Sequence, residues 1–149
     1  MPLLLDAPNL GEREKAKLCE CVDSTYVSTA GPFVPEFEER FAGYLGVPSA
    51  VAVQSGTAAL HVALAEIGIG PGDEVIVPAL SFVASVNPVL YAGATPVLVD
   101  VDPETLTLDM AKVRKALTPR TKAVIPVHIY GNPCDLDALR ELCEGKGIT

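Results

Sequence analysis

The chain contains 149 residues, of which 11 are Lys or Arg and 19 are Asp or Glu, so its formal net charge is −8 at neutral pH. This acidic balance argues against binding to nucleic acid or to an anionic membrane, because affinity for phosphate groups comes mainly from Lys and Arg. Hydrophobic residues make up 49% of the sequence and charged residues 20%, which is typical of one globular domain and not of a disordered chain.

Residues 1–46 are predicted to form an N-terminal helical segment. Glu12–Asp23 has the pattern of one helix, and Pro35–Leu45 begins with a proline suited to a first helical turn. In the second helix Phe37, Phe41 and Tyr44 recur at spacings of four and three residues. We expect these aromatic residues to form a buried stripe that packs in a core, in preference to an aromatic ligand site.

From residue 47 to residue 149, short apolar strands alternate with helices. The predicted elements are the strand Ala50–Val53, the helix Ala58–Ile67, the strand Glu74–Val77, a helical stretch Ser81–Tyr91 interrupted near Pro88, the strand Pro96–Val99, the helix Asp109–Leu117, the strand Lys122–Val127, the helix Asp135–Glu144 and a strand beginning at Ile148. Continuous apolar strands are typical of sheets covered on both faces. We therefore predict an α/β fold with three layers, a largely parallel sheet flanked by helices. Because a strand has only begun where the sequence stops, we expect the N-terminal part of a longer protein.

The most informative segment joins the first predicted strand to the next helix through Ser55-Gly56-Thr57-Ala58. Backbone N–H groups at a helix start, together with the positive end of the helix dipole, can bind an anion. Gly56 permits close approach to the backbone, and Ser55 and Thr57 add hydroxyl donors. The segment is therefore either a phosphate site or a plain N-cap turn, since Ser and Thr are favoured caps in any helix.

Two further residues follow strands and lie at the sheet edge where ligands of open α/β folds bind. Phe82 could stack on a planar ring there, or it could pack in the core. His128 could polarise a ligand atom, or its ring could be hydrogen-bonded to a loop carbonyl. Asp100 and Asp102 resemble a metal pair, but no third ligand is evident, and we predict turn and capping roles for them and no metal site.

The sequence carries no signal for a membrane or for export. No apolar run approaches the roughly 20 residues that span a bilayer. The opening MPLLLDAPNL has no basic segment and no small-residue cleavage site, so we predict no signal peptide. The cysteines form no C-x-x-C pair, and we interpret them as free thiols in a reducing cytoplasm. They are Cys19, Cys21, Cys134 and Cys143.

Taken in order, the motifs of the chain resemble the N-terminal portion of the DegT/DnrJ/EryC1/StrS family. The motifs are SGTAAL (55–60), GPGDEVIVP (70–78), SFVA (81–84), PVLVDVD (96–102) and IPVHIYG (125–131), with YVS (26–28), GPF (31–33) and FE (37–38) upstream. The resemblance covers nearly the whole chain. Residues 27–41 are also similar to the branch that makes 4-amino sugars of the legionaminic and bacillosamine type.

This resemblance implies an aminotransferase that uses pyridoxal 5′-phosphate to aminate nucleotide-linked keto sugars. It implies the large domain of fold type I, similar to aspartate aminotransferase, with residues 47–149 as an incomplete cofactor-binding part. Ser55-Gly56-Thr57-Ala58 would hold the cofactor phosphate, Phe82 would stack on its ring, and His128 would lie near the active-site edge. Glutamate as amino donor, a homodimer and a cytoplasmic location are further expectations.

The same resemblance implies two residues that the sequence lacks: an aspartate that pairs with the pyridine nitrogen, and the lysine that binds the cofactor. We therefore assign no catalytic residue and expect the chain to be inactive by itself. Three alternatives remain open: a sugar dehydratase of the same family with histidine in place of the lysine, a non-catalytic truncated or regulatory relative, and a nucleotide-binding module. The last lacks the usual glycine pattern.

Overall fold

The computed structural model describes residues 7–149. Residues 1–6, which belong to the predicted helical segment and to the opening in which we predict no signal peptide, lie outside the described residues. The elements are α1 (Glu12–Asp23), α2 (Phe33–Leu45), α3 (Gly56–Glu66), β1 (Glu74–Pro78), a 3₁₀ turn (Val83–Ser85), α4 (Asn87–Tyr91), β2 (Thr95–Val99), α5 (Met110–Ala116), β3 (Thr121–Val124), a second 3₁₀ turn (Ile129–Gly131) and α6 (Leu136–Cys143). The chain divides into two compact units, and the boundary between them follows Ala52. The domain boundary that we predict after residue 46 remains a prediction.

The second unit, Val53–Thr149, is built on a parallel sheet of three strands in the order β2-β1-β3. The pairing of β1 with β2 runs in register from Glu74 opposite Thr95 to Pro78 opposite Val99. All five residues of β1 are buried. A central strand covered on both faces accounts for its continuous apolar sequence, as predicted.

Helices cover both faces of this sheet and form two separate cores. On one face α5 and α6 enclose Ile76, Val99, Leu108, Val113, Val124, Leu139 and Leu142. On the other face α3 and α4 enclose Leu64, Ile69, Val75, Val89, Ala94 and Ala123. Neighbouring strand residues point to opposite cores, as the pleat of a strand requires. The predicted three-layer α/β fold is confirmed.

Several predicted elements differ from the structure. No strand forms at Ala50–Val53, where the Ala52 N–H donates to Glu38 Oε1 at 2.8 Å and Val51 is 78% exposed. The stretch Ser81–Tyr91 contains a 3₁₀ turn and a short helix, because a proline follows the first residue of that helix. The third strand ends at Val124, although the Ile125 N–H still donates to the Ile76 carbonyl at 2.9 Å.

At the end of the chain, Thr149 pairs with β3 although no strand is assigned there. The Val124 N–H donates to the Thr149 carbonyl at 2.9 Å, and the Thr149 N–H donates to the Lys122 carbonyl at 3.0 Å. These two bonds have the pattern of a strand beside β3. The strand predicted to begin at Ile148 is thus present only as this pairing.

The first unit, which ends at Ala52, contains α1 and α2, and its aromatic stripe is not buried. Phe37, Phe41 and Tyr44 are 55%, 44% and 85% exposed, so the prediction of a buried stripe is wrong. The rings of Phe37 and Phe41 stack with centroids 5.7 Å apart. The heptad-like spacing correctly placed the residues on one face, but spacing alone does not say whether another surface covers that face.

A buried carboxylate ties the start of β1 to the turn before β3. Thr118 Oγ1 donates to Glu74 Oε2 at 2.5 Å, and Arg120 Nε donates to Glu74 Oε1 at 2.9 Å. The hydrogen bond from Thr118, which has the larger effect, and the one from Arg120 hold the pKa of the Glu74 carboxyl below its ordinary value. Since the folded form binds this proton less well than the unfolded form, the pair stabilises the fold above the ordinary pKa of about 4.3 and loses this effect as the pH falls.

The variant Glu74→Gln is expected to unfold at lower urea concentration than the wild type at pH 7, because it removes the charge that Arg120 and Thr118 stabilise. The difference should shrink as the pH falls below about 4.3, because the unfolded wild type then gains a proton at Glu74, and it should vanish below the lowered pKa of the folded form. Urea midpoints measured across this range test the prediction. Glu66→Gln, at an exposed carboxylate of α3, is the control and should leave the midpoint unchanged. A constant difference at every pH would contradict the assignment.

Candidate functional site

The start of α3 presents backbone donors that the described chain does not use. Ser55 is the N-cap, and its Oγ accepts the Ala58 N–H at 3.2 Å while its carbonyl accepts the Ala59 N–H at 3.0 Å. The N–H groups of Gly56 and Thr57 have no acceptor among residues 7–149. Both therefore remain free at the positive end of an 11-residue helix.

The space beside Gly56 is open. Apart from its chain neighbours and the backbone of its own helix, a Cβ at this position would meet no atom of the described residues within 4 Å, and the backbone does not adopt the left-handed conformation that requires glycine. Neither packing nor backbone strain within the described chain therefore explains a glycine here. The open space instead leaves room for a ligand atom to approach the Gly56 and Thr57 N–H groups directly.

Phe82 follows β1 and is not part of the core. Its side chain is 76% exposed, so of the two interpretations of the sequence, core packing does not hold. Its backbone is held by Ser81, which precedes it, and by the 3₁₀ turn that follows it. Ser81 Oγ lies 2.7 Å from Ser85 Oγ and donates to the Phe82 carbonyl at 3.2 Å. The ring is therefore an exposed aromatic surface on an anchored backbone.

His128 follows β3, and one of its two ring nitrogens is engaged. The Cys134 N–H donates to His128 Nδ1 at 3.0 Å, whereas the side chain as a whole is exposed. The bond to a loop carbonyl, one of the two interpretations of the sequence, is not found among residues 7–149, and the ring instead accepts a loop N–H. No residue of 7–149 forms a hydrogen bond with Nε2. The sequence does not indicate this contact, because nothing in the spacing of the two residues signals an N–H···N bond.

The topology brings these three features to one edge of the sheet. Phe82 and His128 both follow carboxyl ends of parallel, adjacent strands, β1 and β3. Helix α3 connects to the amino end of β1 through residues 67–73 and packs on the sheet through Leu64, so it runs back along the sheet. Its first turn, with Gly56, therefore lies toward the carboxyl edge, where ligands of such sheets bind.

The two aspartates after β2 have turn and pairing roles. Asp102 Oδ1 accepts the N–H groups of Glu104 and Thr105, each at 2.9 Å, and these bonds hold its pKa below the ordinary value. The Lys112 ammonium donates to Asp100 Oδ2 at 2.9 Å and, with the Val101 N–H, likewise lowers the Asp100 pKa. The predicted turn role is confirmed for Asp102. Within the described residues no group of His, Cys, Asp and Glu is arranged to hold a metal ion.

Within the second unit, none of the four lysines is placed as a free nucleophile at this edge. Lys112 is paired with Asp100 and Asp109, and Lys146 donates to the Leu142 carbonyl. Lys115 lies in the last turn of α5 and Lys122 on β3. Lys15 and Lys17 lie on α1, in the other unit.

Across residues 7–149 no helix is both long and apolar enough to cross a bilayer.

The model of the DegT/DnrJ/EryC1/StrS aminotransferase family matches residues 8–149. The chain is 55% identical over 142 residues to GDP-perosamine synthase of Caulobacter vibrioides, an alignment that covers 95% of this chain and 38% of that protein. It resembles the crystal structure of S. venezuelae DesV in complex with a ketimine intermediate, with a TM-score of 0.83 and 46% identity, over 92% of this chain and 38% of DesV. It also resembles NtdA of Bacillus subtilis with bound cofactor PMP, with a TM-score of 0.86 and 32% identity, over 99% and 36% of the two chains. The chain thus spans well under half the length of these relatives.

Proposed function

Because the chain belongs to the DegT/DnrJ/EryC1/StrS aminotransferase family, we propose that it provides the phosphate-binding and ring-stacking part of a pyridoxal 5′-phosphate-dependent sugar aminotransferase. One observation carries the proposal: two free backbone N–H groups open α3 at the sheet edge where Phe82 is exposed. The bound PMP of NtdA and the ketimine of DesV support this cofactor.

The residues at this edge fit the cofactor. A phosphate dianion would accept hydrogen bonds from the N–H groups of Gly56 and Thr57, and hydroxyl donors of Ser55 and Thr57 lie beside them. Charge-assisted bonds of this kind contribute about 1.5–3 kcal/mol each. Ala58 belongs to the same turn and adds no polar side chain, and its N–H donates to Ser55 Oγ at 3.2 Å. Phe82 would cover the pyridine ring.

When bound, the cofactor supplies an electron sink for moving an amino group between two carbon skeletons. The chain described here contributes orientation: Gly56 and Thr57 fix the phosphate end and Phe82 fixes the plane of the ring. Holding a reactant in one geometry accounts for much of an enzyme's rate enhancement. His128 offers Nε2 for a hydrogen bond at the same edge.

The substrate proposed is a nucleotide-linked keto sugar, with glutamate as amino donor. Proteins named GDP-perosamine synthase from three bacteria match 95% of this chain, which favours a GDP-linked sugar. A role in polysaccharide biosynthesis is supported by the match to the spore coat polysaccharide biosynthesis protein SpsC. The 4-amino product that residues 27–41 suggest remains part of this proposal.

We further propose a cytoplasmic homodimer. The exposed stripe of Phe37, Phe41 and Tyr44 supports an association surface in the first unit, since contiguous apolar surface of this kind commonly marks an interface. The four cysteines are free, as expected in a reducing compartment. Sedimentation of the Phe41→Glu variant beside the wild type would show whether this stripe contributes to the dimer.

The experiment that tests the proposed function is a spectroscopic titration of the polypeptide expressed to its natural C-terminus. Adding pyridoxal phosphate should shift the visible absorbance of the cofactor. Adding glutamate should then abolish the visible band, because the cofactor takes up the amino group and 2-oxoglutarate is released. Nucleoside triphosphates should give no competing change. No cofactor binding combined with tight nucleotide binding would contradict the proposal and favour a nucleotide-binding module. Cofactor binding with sugar dehydration but no amino transfer would instead assign the dehydratase.

A further inference from the structure

The loop after β3 is closed by Cys134, which bonds back to the two consecutive residues Val127 and His128 at the start of the loop. Cys134 is buried, with 8% of its surface exposed. Its thiol donates to the Val127 carbonyl at 3.1 Å, and its N–H donates to His128 Nδ1 at 3.0 Å. A side-chain bond and a backbone bond from one residue therefore hold two consecutive positions, 127 and 128.

The segment between these residues reverses direction through an uncommon backbone conformation. Tyr130 has φ 52° and ψ 23°, in the left-handed region, and Gly131 follows with φ 81°. The Gly131 N–H donates to the His128 carbonyl at 3.1 Å, and Asn132 Nδ2 donates to the Thr105 carbonyl at 2.5 Å. A non-glycine residue in this region persists only where its surroundings hold it, and it is more common near functional sites.

The hydrogen bond from Cys134 decides which nitrogen of His128 carries the proton. A neutral imidazole has one donor and one acceptor nitrogen, and the bond to a neighbouring group selects between them. Nδ1 accepts the Cys134 N–H, so a proton on Nδ1 would set two donors against each other. The neutral ring is therefore held as the Nε2–H form, with Nε2 as its remaining donor.

We propose that Cys134 is a positioning residue that fixes His128 as the Nε2–H tautomer, so that the ring donates a hydrogen bond to an oxygen of the ligand at the carboxyl edge of the sheet. The identity of that ligand rests on the proposed function, whereas the tautomer rests on the loop geometry alone. The buried thiol acts by anchoring residue 134 on Val127, which keeps its N–H directed at Nδ1.

The test is an NMR measurement on the polypeptide expressed to its natural C-terminus, labelled with ¹⁵N and without cofactor. At a pH where His128 is neutral, its Nδ1 should give a pyridine-type shift and its Nε2 a pyrrole-type shift. A scalar coupling across the hydrogen bond should connect the Cys134 amide to Nδ1. The reverse assignment of the two ring nitrogens, or absence of the coupling in the folded protein, overturns the inference.

Variants separate positioning from general stability. Cys134→Ala removes the thiol anchor and should raise the Nδ1–H population of His128 about 2- to 10-fold, as expected for the loss of one modest hydrogen bond. Cys134→Ser retains a donor and should stay near the wild-type ratio. Cys143→Ala, at a half-buried cysteine of α6, is the control for lost packing and should leave the tautomer unchanged. An unchanged ratio in Cys134→Ala contradicts the positioning role, and if that variant does not fold, the wild-type coupling still decides.

This measurement is independent of the cofactor. A protein that shows the coupling but does not bind pyridoxal phosphate overturns the proposed function alone. A protein that binds the cofactor with His128 in the other tautomer overturns this inference alone.

Discussion

The 149-residue chain expressed by itself is expected to show no measurable amino transfer from glutamate to a nucleotide-linked keto sugar. The family resemblance implies a lysine that carries a proton, and each described lysine of the second unit is either paired or placed on α5 or β3. Loss of a general acid–base group costs roughly 10²- to 10⁴-fold in rate, and the missing aspartate adds a further loss. Turnover should therefore fall by several orders of magnitude compared with a complete enzyme.

The measurement combines an assay of amino transfer with borohydride reduction and peptide mass spectrometry. The polypeptide expressed to its natural C-terminus is the positive control and should give turnover and a reduced cofactor adduct at one lysine. The 149-residue chain should give scattered, substoichiometric labelling of exposed lysines. A stoichiometric adduct at one of its six lysines, accompanied by turnover, would contradict this prediction.

Replacing Gly56 with valine is expected to weaken pyridoxal phosphate binding about 10- to 100-fold while the fold remains intact. The added side chain would fill the open space over the Gly56 and Thr57 N–H groups and so block one charge-assisted hydrogen bond or more. Because Gly56 is not in the left-handed region and a Cβ there would meet no atom beyond its chain neighbours and its own helix backbone, we expect the substitution to leave the fold unstrained. Helix content and urea midpoint should stay close to wild type.

The matched control for this variant is Gly70→Val. Gly70 also lies outside the left-handed region and also has open space beside it, but it precedes the amino end of β1, at the opposite edge of the sheet. Its cofactor affinity should equal that of the wild type. Equal loss of affinity in both variants would mean that the effect is general destabilisation. Unchanged affinity in Gly56→Val would mean that the phosphate does not bind at the start of α3.

The sequence predicts the parts of this fold that local chemistry determines. Ser55 forms an N-cap, as its residue type favours, because its hydroxyl oxygen accepts the N–H of Ala58, only three residues later in the chain. The run Glu74–Val77 is identified as a buried strand because its apolar residues must be covered on both faces. The exposure of Phe82 could not be decided, since an aromatic side chain after a strand fits either a core or a ligand site.

Other features depend on distant partners and could not be predicted from one sequence. The apolar run Ala50–Val53 lacks a strand because no segment of residues 7–149 pairs with it and Glu38 accepts its Ala52 N–H. The stripe at Phe37 and Phe41 has helical spacing whether or not a surface covers it. The bond from Cys134 to His128 depends on the left-handed turn between them, which sequence spacing does not reveal.

The central claim is that a phosphate group binds at the free N–H groups of Gly56 and Thr57 with Phe82 over the attached ring. A crystal structure of the polypeptide expressed to its natural C-terminus, grown with pyridoxal phosphate, tests this directly. The claim predicts phosphate oxygens within about 2.7–3.1 Å of both nitrogens and the ring of Phe82 parallel to the pyridine. A fully occupied cofactor bound elsewhere, with the start of α3 empty, would contradict it.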